Sequence, residues 1–198
     1  MNTQKEDLHL KYFVLEKPLT MDGTMNKERL RGVNLGGWFS QVDCIEEKDP
    51  AHFPGILQHI QTFLDNSDFK RIREVGFNHV RLPVDYFNLF EKSTLKPKEE
   101  FFLLLDKALK DIQANDLDVI LDLHKCPGHD FHLGCSTDQP FFTDPVERKK
   151  TSDIWAYMAE RYSNEPRVMM ELLNEPAGQD SKVWDKLKDE LFWTIRKH

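Results

Sequence analysis

Short apolar runs alternate along the chain with longer stretches in which apolar residues recur every three or four positions. Arg31 to Leu35 (RGVNL) reads as a strand, followed by a Gly36-Gly37 turn. After an irregular stretch, Ser67 is placed to cap a helix beginning at Asp68, and Gly76 to end it. Asn78 to Val84 (NHVRLPV) is the next strand. Pro97 opens a helix with Phe101, Leu104, Leu105, Ala108, Leu109 and Ile112 on its apolar face. Leu117 to Leu123 (LDVILDL) is a third strand. Asp144-Pro145 starts another helix, with Glu147 placed to complete its cap and Ile154, Trp155, Met158 and Tyr162 among its apolar positions. Arg167 to Leu173 (RVMMELL) is a fourth strand, and Val183, Leu187, Leu191 and Ile195 mark a final helix. Strands that alternate with helices in this way predict a parallel sheet with right-handed crossovers.

The strand markers Val33, Val80, Ile120 and Met170 lie 47, 40 and 50 residues apart. Eight such units would need about 365 residues, and an eight-fold α/β barrel typically takes ~250. The chain has 198 residues, room for one domain and for four such units. No repeat, low-complexity tract or Gly/Ser-rich linker divides it.

Composition narrows the partners. The chain carries 27 basic and 34 acidic residues, a net charge of −7. It therefore has no generic attraction for nucleic acid or anionic lipid. Apolar residues make up 39% and charged residues 31%, the balance of a folded soluble protein. No apolar stretch reaches the ~18 residues of a membrane helix, and the polar start MNTQKEDL lacks a secretory core, so a cytoplasmic chain is expected as written. The three cysteines, Cys44, Cys126 and Cys135, are an odd count. Cys126 and Cys135 lie near His124, His129 and His132, but the spacings match no zinc pattern well, and free thiols with no metal are expected.

In parallel α/β architectures the site forms at the C-terminal strand ends. Polar residues gather there. Asn34 and the Gly-Gly-Trp turn follow the first strand, Arg81 lies in the second, His124 ends the third, and Asn174-Glu175-Pro176 ends the fourth. A Glu at a sheet rim can act as a general acid/base, and Pro176 bars a simple helical continuation after Glu175. His124 either orients a substrate or catalytic carboxylate or is satisfied by backbone groups. Arg81 either holds a catalytic carboxylate or forms a structural pair with Asp85 or Asp122. Trp38 offers either a sugar-stacking face or core packing under the glycine turn.

Four segments carry a resemblance: Arg31 to Trp38 (RGVNLGGW), Gly76 to Val84 (GFNHVRLPV), Val119 to Gly128 (VILDLHKCPG) and Glu171 to Pro176 (ELLNEP). In order and spacing they resemble glycoside hydrolase family 5, the cellulase-like retaining β-glycosidases. The resemblance implies a TIM (β/α)8 barrel of which residues 28–198 hold the first four βα units, after an N-terminal extension, residues 1–27. It implies an acid/base role for Glu175 and a bond from Asn174 to the sugar 2-hydroxyl. It places His124 at the same subsite and makes Arg81 the support of the nucleophile. The LHxxPG form of the third motif resembles the glucan-active branches, with β-linked oligo- or polysaccharide as substrate and no cofactor. Within those branches a Glu often follows the Gly-Gly-Trp turn. Here Phe-Ser-Gln-Val-Asp follows Trp38 instead, which argues against an exo-type sugar clamp.

Retaining glycosidases need two carboxylates about 5–5.5 Å apart. The family's nucleophile comes from a seventh strand, and this chain stops after the fourth strand and its helix. Glu171 shares strand parity with Glu175, but four residues of strand rise separate their backbones by ~13 Å. Asp122 lies ~7 Å below His124 by the same rise. No nucleophile is therefore expected in this chain, which should be inactive alone. Four open strands also leave two sheet edges, through which self-association is expected. A reading of a different class is a non-catalytic carbohydrate-binding remnant, or a half-barrel that dimerises.

Overall fold

Four parallel strands pair in the order in which the chain makes them: β1 (Gly32–Asn34), β2 (His79–Asp85), β3 (Asp118–Lys125) and β4 (Val168–Glu171). The computed structural model describes residues 30–130, 139–177 and 180–198. The expected extension over residues 1–27, its boundary at residue 28, and His132 and Cys135 lie outside the described residues. Residues 31–198 form one compact unit.

Alternation decides which face of the sheet is dry. Val80, Leu82 and Val84 of β2 and Val119, Leu121 and Leu123 of β3 are wholly buried and belong to one apolar core. Two long helices supply much of the rest. In α5 (Glu99–Ala114), Phe101, Phe102, Leu105, Ala108, Leu109 and Ile112 are buried. In α7 (Pro145–Tyr162), Ile154, Trp155, Met158 and Tyr162 are buried. The Trp155 indole donates to the Leu172 carbonyl at 2.9 Å, fastening α7 to the chain just beyond β4. The other face carries Asn34, Arg81, Asp122 and Glu171 beside Ile120 and Met169, and on it the site is built.

The helix starts differ from expectation in instructive ways. The helix expected from Asp68 is α3 (Asn66–Glu74), and Asp65 rather than Ser67 caps it. Its carboxylate accepts from the Ser67 amide, and the Asp68 side chain accepts from the Asp65 amide, closing a capping box. Gly76 follows the helix with φ 99°, the left-handed conformation that glycine tolerates. Asp144 caps α7 through the Val146 amide, whereas Glu147 pairs with Lys150 at 2.6 Å. The stretch read as irregular holds α1 (Val42–Lys48) and α2 (Ile56–Thr62). Two single turns, α4 (Tyr86–Leu89) and α6 (Pro140–Thr143), and a final helix, α8 (Ser181–Arg196), complete the order. Among the described residues, no helix is long and apolar enough to cross a membrane.

Candidate active site

The face that carries the site is organised by one guanidinium. Arg81 on β2 grips Glu171 on β4 with both ends of its fork, Nε to Oε2 at 2.7 Å and Nη2 to Oε1 at 2.8 Å. Nη2 also lies 2.7 Å from Asp122 Oδ2 on β3 and donates to Asn174 Oδ1 at 2.8 Å. Nη1 donates to Asn34 Oδ1 at 2.9 Å, reaching β1. The register explains the convergence: Asn34 pairs with Arg81, and Asp122 pairs with Glu171 two steps further on. One side chain thus ties all four strands together through charge-assisted bonds. Bonding to Glu171 raises Arg81 further above its ordinary value, against the opposing effect of burial. Of the two structural partners expected for Arg81, Asp122 is found. Asp85 faces elsewhere.

The next residue along the edge is His124. Its Nδ1 lies 2.9 Å from Asp122 Oδ2. Burial pushes Asp122 up, and the bond to His124 and the charges of Arg81 and His124 pull it back down. In the tautomer that turns Nδ1–H to Asp122, Nε2 is left as an acceptor. The ladder between β2 and β3 slips between Val84 and Asp85, so that Asp85 pairs with Lys125 and His124 is the extra residue. Such a bulge next to a site re-aims a side chain.

Asn174 and Glu175 lie past the end of β4, which stops at Glu171 rather than Leu173. Asn174 is buried, and its amide still joins the ladder by donating to the Leu123 carbonyl at 3.3 Å. Glu175 is exposed and has φ 44°, the left-handed region. Strand parity with Glu171 therefore does not carry through to Glu175, because the backbone turns between them. Glu171 itself is half-buried on Arg81. His129 lies against the Glu175 backbone and is pushed down to about 4, burial being the main cause, so it is neutral at ordinary pH. Cys126 is buried in the same loop, and burial pushes its thiol up to about 12, which disfavours the thiolate that a metal would need. That loop turns at Gly128, where φ is 74° and a Cβ would stand 2.6 Å from the Phe141 amide nitrogen.

The structure brings Arg81, His124, Asn174 and Glu175 to one edge and leaves Trp38 out. Trp38 is 4% exposed, packs against Phe39 and Phe69, and donates from its indole to the Ile60 carbonyl at 2.7 Å. Of its two readings, core packing is the one the geometry fits. Its indole face is covered.

A second layer escaped the sequence reading. Asp85, wholly buried at the end of β2, accepts from the Gln41 amide at 2.6 Å, and its own amide donates to the Phe39 carbonyl at 3.0 Å. Asn88 donates to the same carbonyl at 2.8 Å. Lys125 is 2% exposed and bonds both oxygens of Asp43, at 2.9 and 3.2 Å, with Asp130 at 3.5 Å. The available signal was an aspartate closing an apolar strand at the same edge as Arg81, in Val84-Asp85-Tyr86.

Strands in chain order, helices against one face and a polar cluster at the C-terminal ends define part of a (β/α)8 barrel. The crystal structure of an endoglucanase, Cel5A from Thermotoga maritima, superposes with a TM-score of 0.61 at 22% identity, over 85% of this chain and 48% of that one. The profile of the cellulase family, glycosyl hydrolase family 5, matches residues 44–198, and the chain belongs to that family. It is 36% identical to endoglucanase C of Acetivibrio thermocellus over 169 residues, 84% of this chain and 46% of that protein. It is 31% identical to a glucan 1,3-beta-glucosidase of Blumeria graminis over 190 residues, 82% of this chain and 44% of that protein. The chain spans about half the length of the curated relatives it matches.

Proposed function

We propose that this edge is the acid/base half of a retaining β-glycosidase site acting on β-linked glucans. Glu175 protonates the departing glycosidic oxygen and later activates the water that releases the sugar. Asn174 spends its carbonyl oxygen on Arg81, which turns its amide nitrogen toward a sugar hydroxyl. His124 lines the same subsite, held in one tautomer by Asp122. Arg81 fixes Asn174 and supports the carboxylates around it.

The observation that carries this reading is the bond from Arg81 to Asn174, which sets the amide next to an exposed Glu175 at the strand ends. The names of the relatives, an endoglucanase and a glucan 1,3-beta-glucosidase, support a β-glucan as substrate. Glu171 and Asp122 are both committed to Arg81, so neither is available as nucleophile. In this reading the second carboxylate comes from outside these residues.

Two measurements test it. Calorimetry should detect binding of cello- or laminari-oligosaccharides to the 198-residue chain. Aryl β-glucosides should show negligible turnover with that same chain. Absence of any sugar affinity would count against the glucan reading. Robust hydrolysis that Glu175→Gln abolishes would keep the acid/base role and overturn the claim that the nucleophile lies elsewhere.

A further inference from the structure

Two exposed side chains at this edge sit on left-handed backbone, Glu175 with φ 44° and Gln41 with φ 58°. For a residue with a side chain this conformation is strained and persists only where surrounding bonds impose it. At Gln41 the imposing bond is plain. The amide is held at 2.6 Å by Asp85 Oδ2, a wholly buried carboxyl 44 residues further along the chain. The two residues before Gln41 are anchored as well. Phe39 and Ser40 are wholly buried, and the Phe39 carbonyl accepts from both the Asp85 amide and the Asn88 side chain. A strained backbone pinned from below carries a side chain that no packing requires.

That side chain lies against the proposed subsite. Gln41 Nε2 is 3.4 Å from His124 Nε2. Because Nδ1 of that imidazole faces Asp122, Nε2 is the acceptor and the Gln41 amide the donor. One N–H of the carboxamide is then turned to His124, and the second N–H and the carbonyl oxygen remain for a ligand. A donor and an acceptor on one rigid plane suit a pair of adjacent sugar hydroxyls.

We propose that Gln41 is a substrate-contacting residue that reads the hydroxyls of a β-glucosyl unit, and that Asp85 is the positioning residue that holds it at the rim. This deepens the glucan reading above and rests on it. Asp85 acts through the Gln41 backbone. Lys125, His124 and Asp43 are the charged or titratable groups that act on it.

The test is calorimetric binding of cellotriose and laminaritriose to the full chain and to four variants, with near-ultraviolet circular dichroism as a check on the fold. Gln41→Ala should weaken the better ligand about ten-fold, the worth of a hydrogen-bonded pair to a hydroxyl, with the thermal midpoint unchanged. Asp85→Asn keeps an acceptor for the Gln41 amide and should bind within about two-fold of the parent, whereas Asp85→Ala should match the loss in Gln41→Ala. Gln41→Glu, placed against His124, should change the ratio of the two affinities. If Gln41→Ala binds both sugars as the parent does, the contact role is overturned while the glucan reading stands. If Asp85→Ala stays folded and binds normally, the positioning role is overturned. If the parent binds neither sugar, both this inference and the reading beneath it fall.

Discussion

Burial pushes the Asp85 carboxyl up to about 7 from an ordinary 3.8, against the pull of the Gln41 amide and the charges of Lys125 and His124. Between those values the folded chain holds a proton there that the unfolded chain has released. The resulting stabilisation is complete below about pH 4 and is lost as the pH rises through 7. Asp85→Asn removes the titration and keeps the acceptor. Urea unfolding at pH 5 and pH 8 should therefore show the variant gaining about 2–3 kcal/mol on the parent across that interval. Identical pH dependence in the two proteins would sink the assignment. At this scale the placement of Arg81, His124, Asn174 and Glu175 along one edge of the sheet was legible, because each lies in a short motif in or just after a strand. The sequence was silent on Gln41, because the conformation of that residue is set by a partner 44 positions away.

Elements were easier to place than their ends. The strands β2 and β3 and the helices α5 and α7 announced themselves by apolar periodicity, and their buried residues are nearly those the spacing picks out. The short helices α1 and α2 did not, because seven residues give two turns and too few apolar repeats to stand out. The cap of α3 lies two residues before the one read from the sequence, at Asp65 rather than Ser67, whereas α7 starts at Asp144-Pro145 as read. The start of α7 offers a direct check. Asp144→Ala removes the acceptor for the Val146 amide and should cost about 1 kcal/mol in urea unfolding. Glu147→Ala, which breaks only the pair with Lys150, should cost less than half of that. Equal losses would mean that Glu147 completes the cap after all.

Taken whole, residues 31–198 carry a sheet with a strand at each edge whose outer side has no partner among the described residues. All three residues of β1 are exposed, all four of β4 are only half-buried, and Val33 is 36% exposed. On α8, Phe192 and Trp193 stack edge to face at 5.2 Å and are 43% and 58% exposed. Open edges and an uncovered aromatic pair are surfaces that seek a cover. Sedimentation velocity should show association that grows with protein concentration, and Trp193→Glu should shift it toward monomer. A monomer at every concentration, with no affinity for an apolar dye, would refute this expectation.

The Arg81 cluster limits what this face of the sheet will accept. Glu171 and Asp122 bring two carboxyl groups to a single guanidinium, and five contacts already fill nearly all of its donors. Where both carboxyl groups are ionised, the local balance is negative. A third anion brought to this spot would either displace Glu171 from the fork or keep its proton to a higher pH than an isolated acid would. A centre that gains positive charge, as an anomeric carbon does while its glycosidic bond stretches, would be drawn to the same spot.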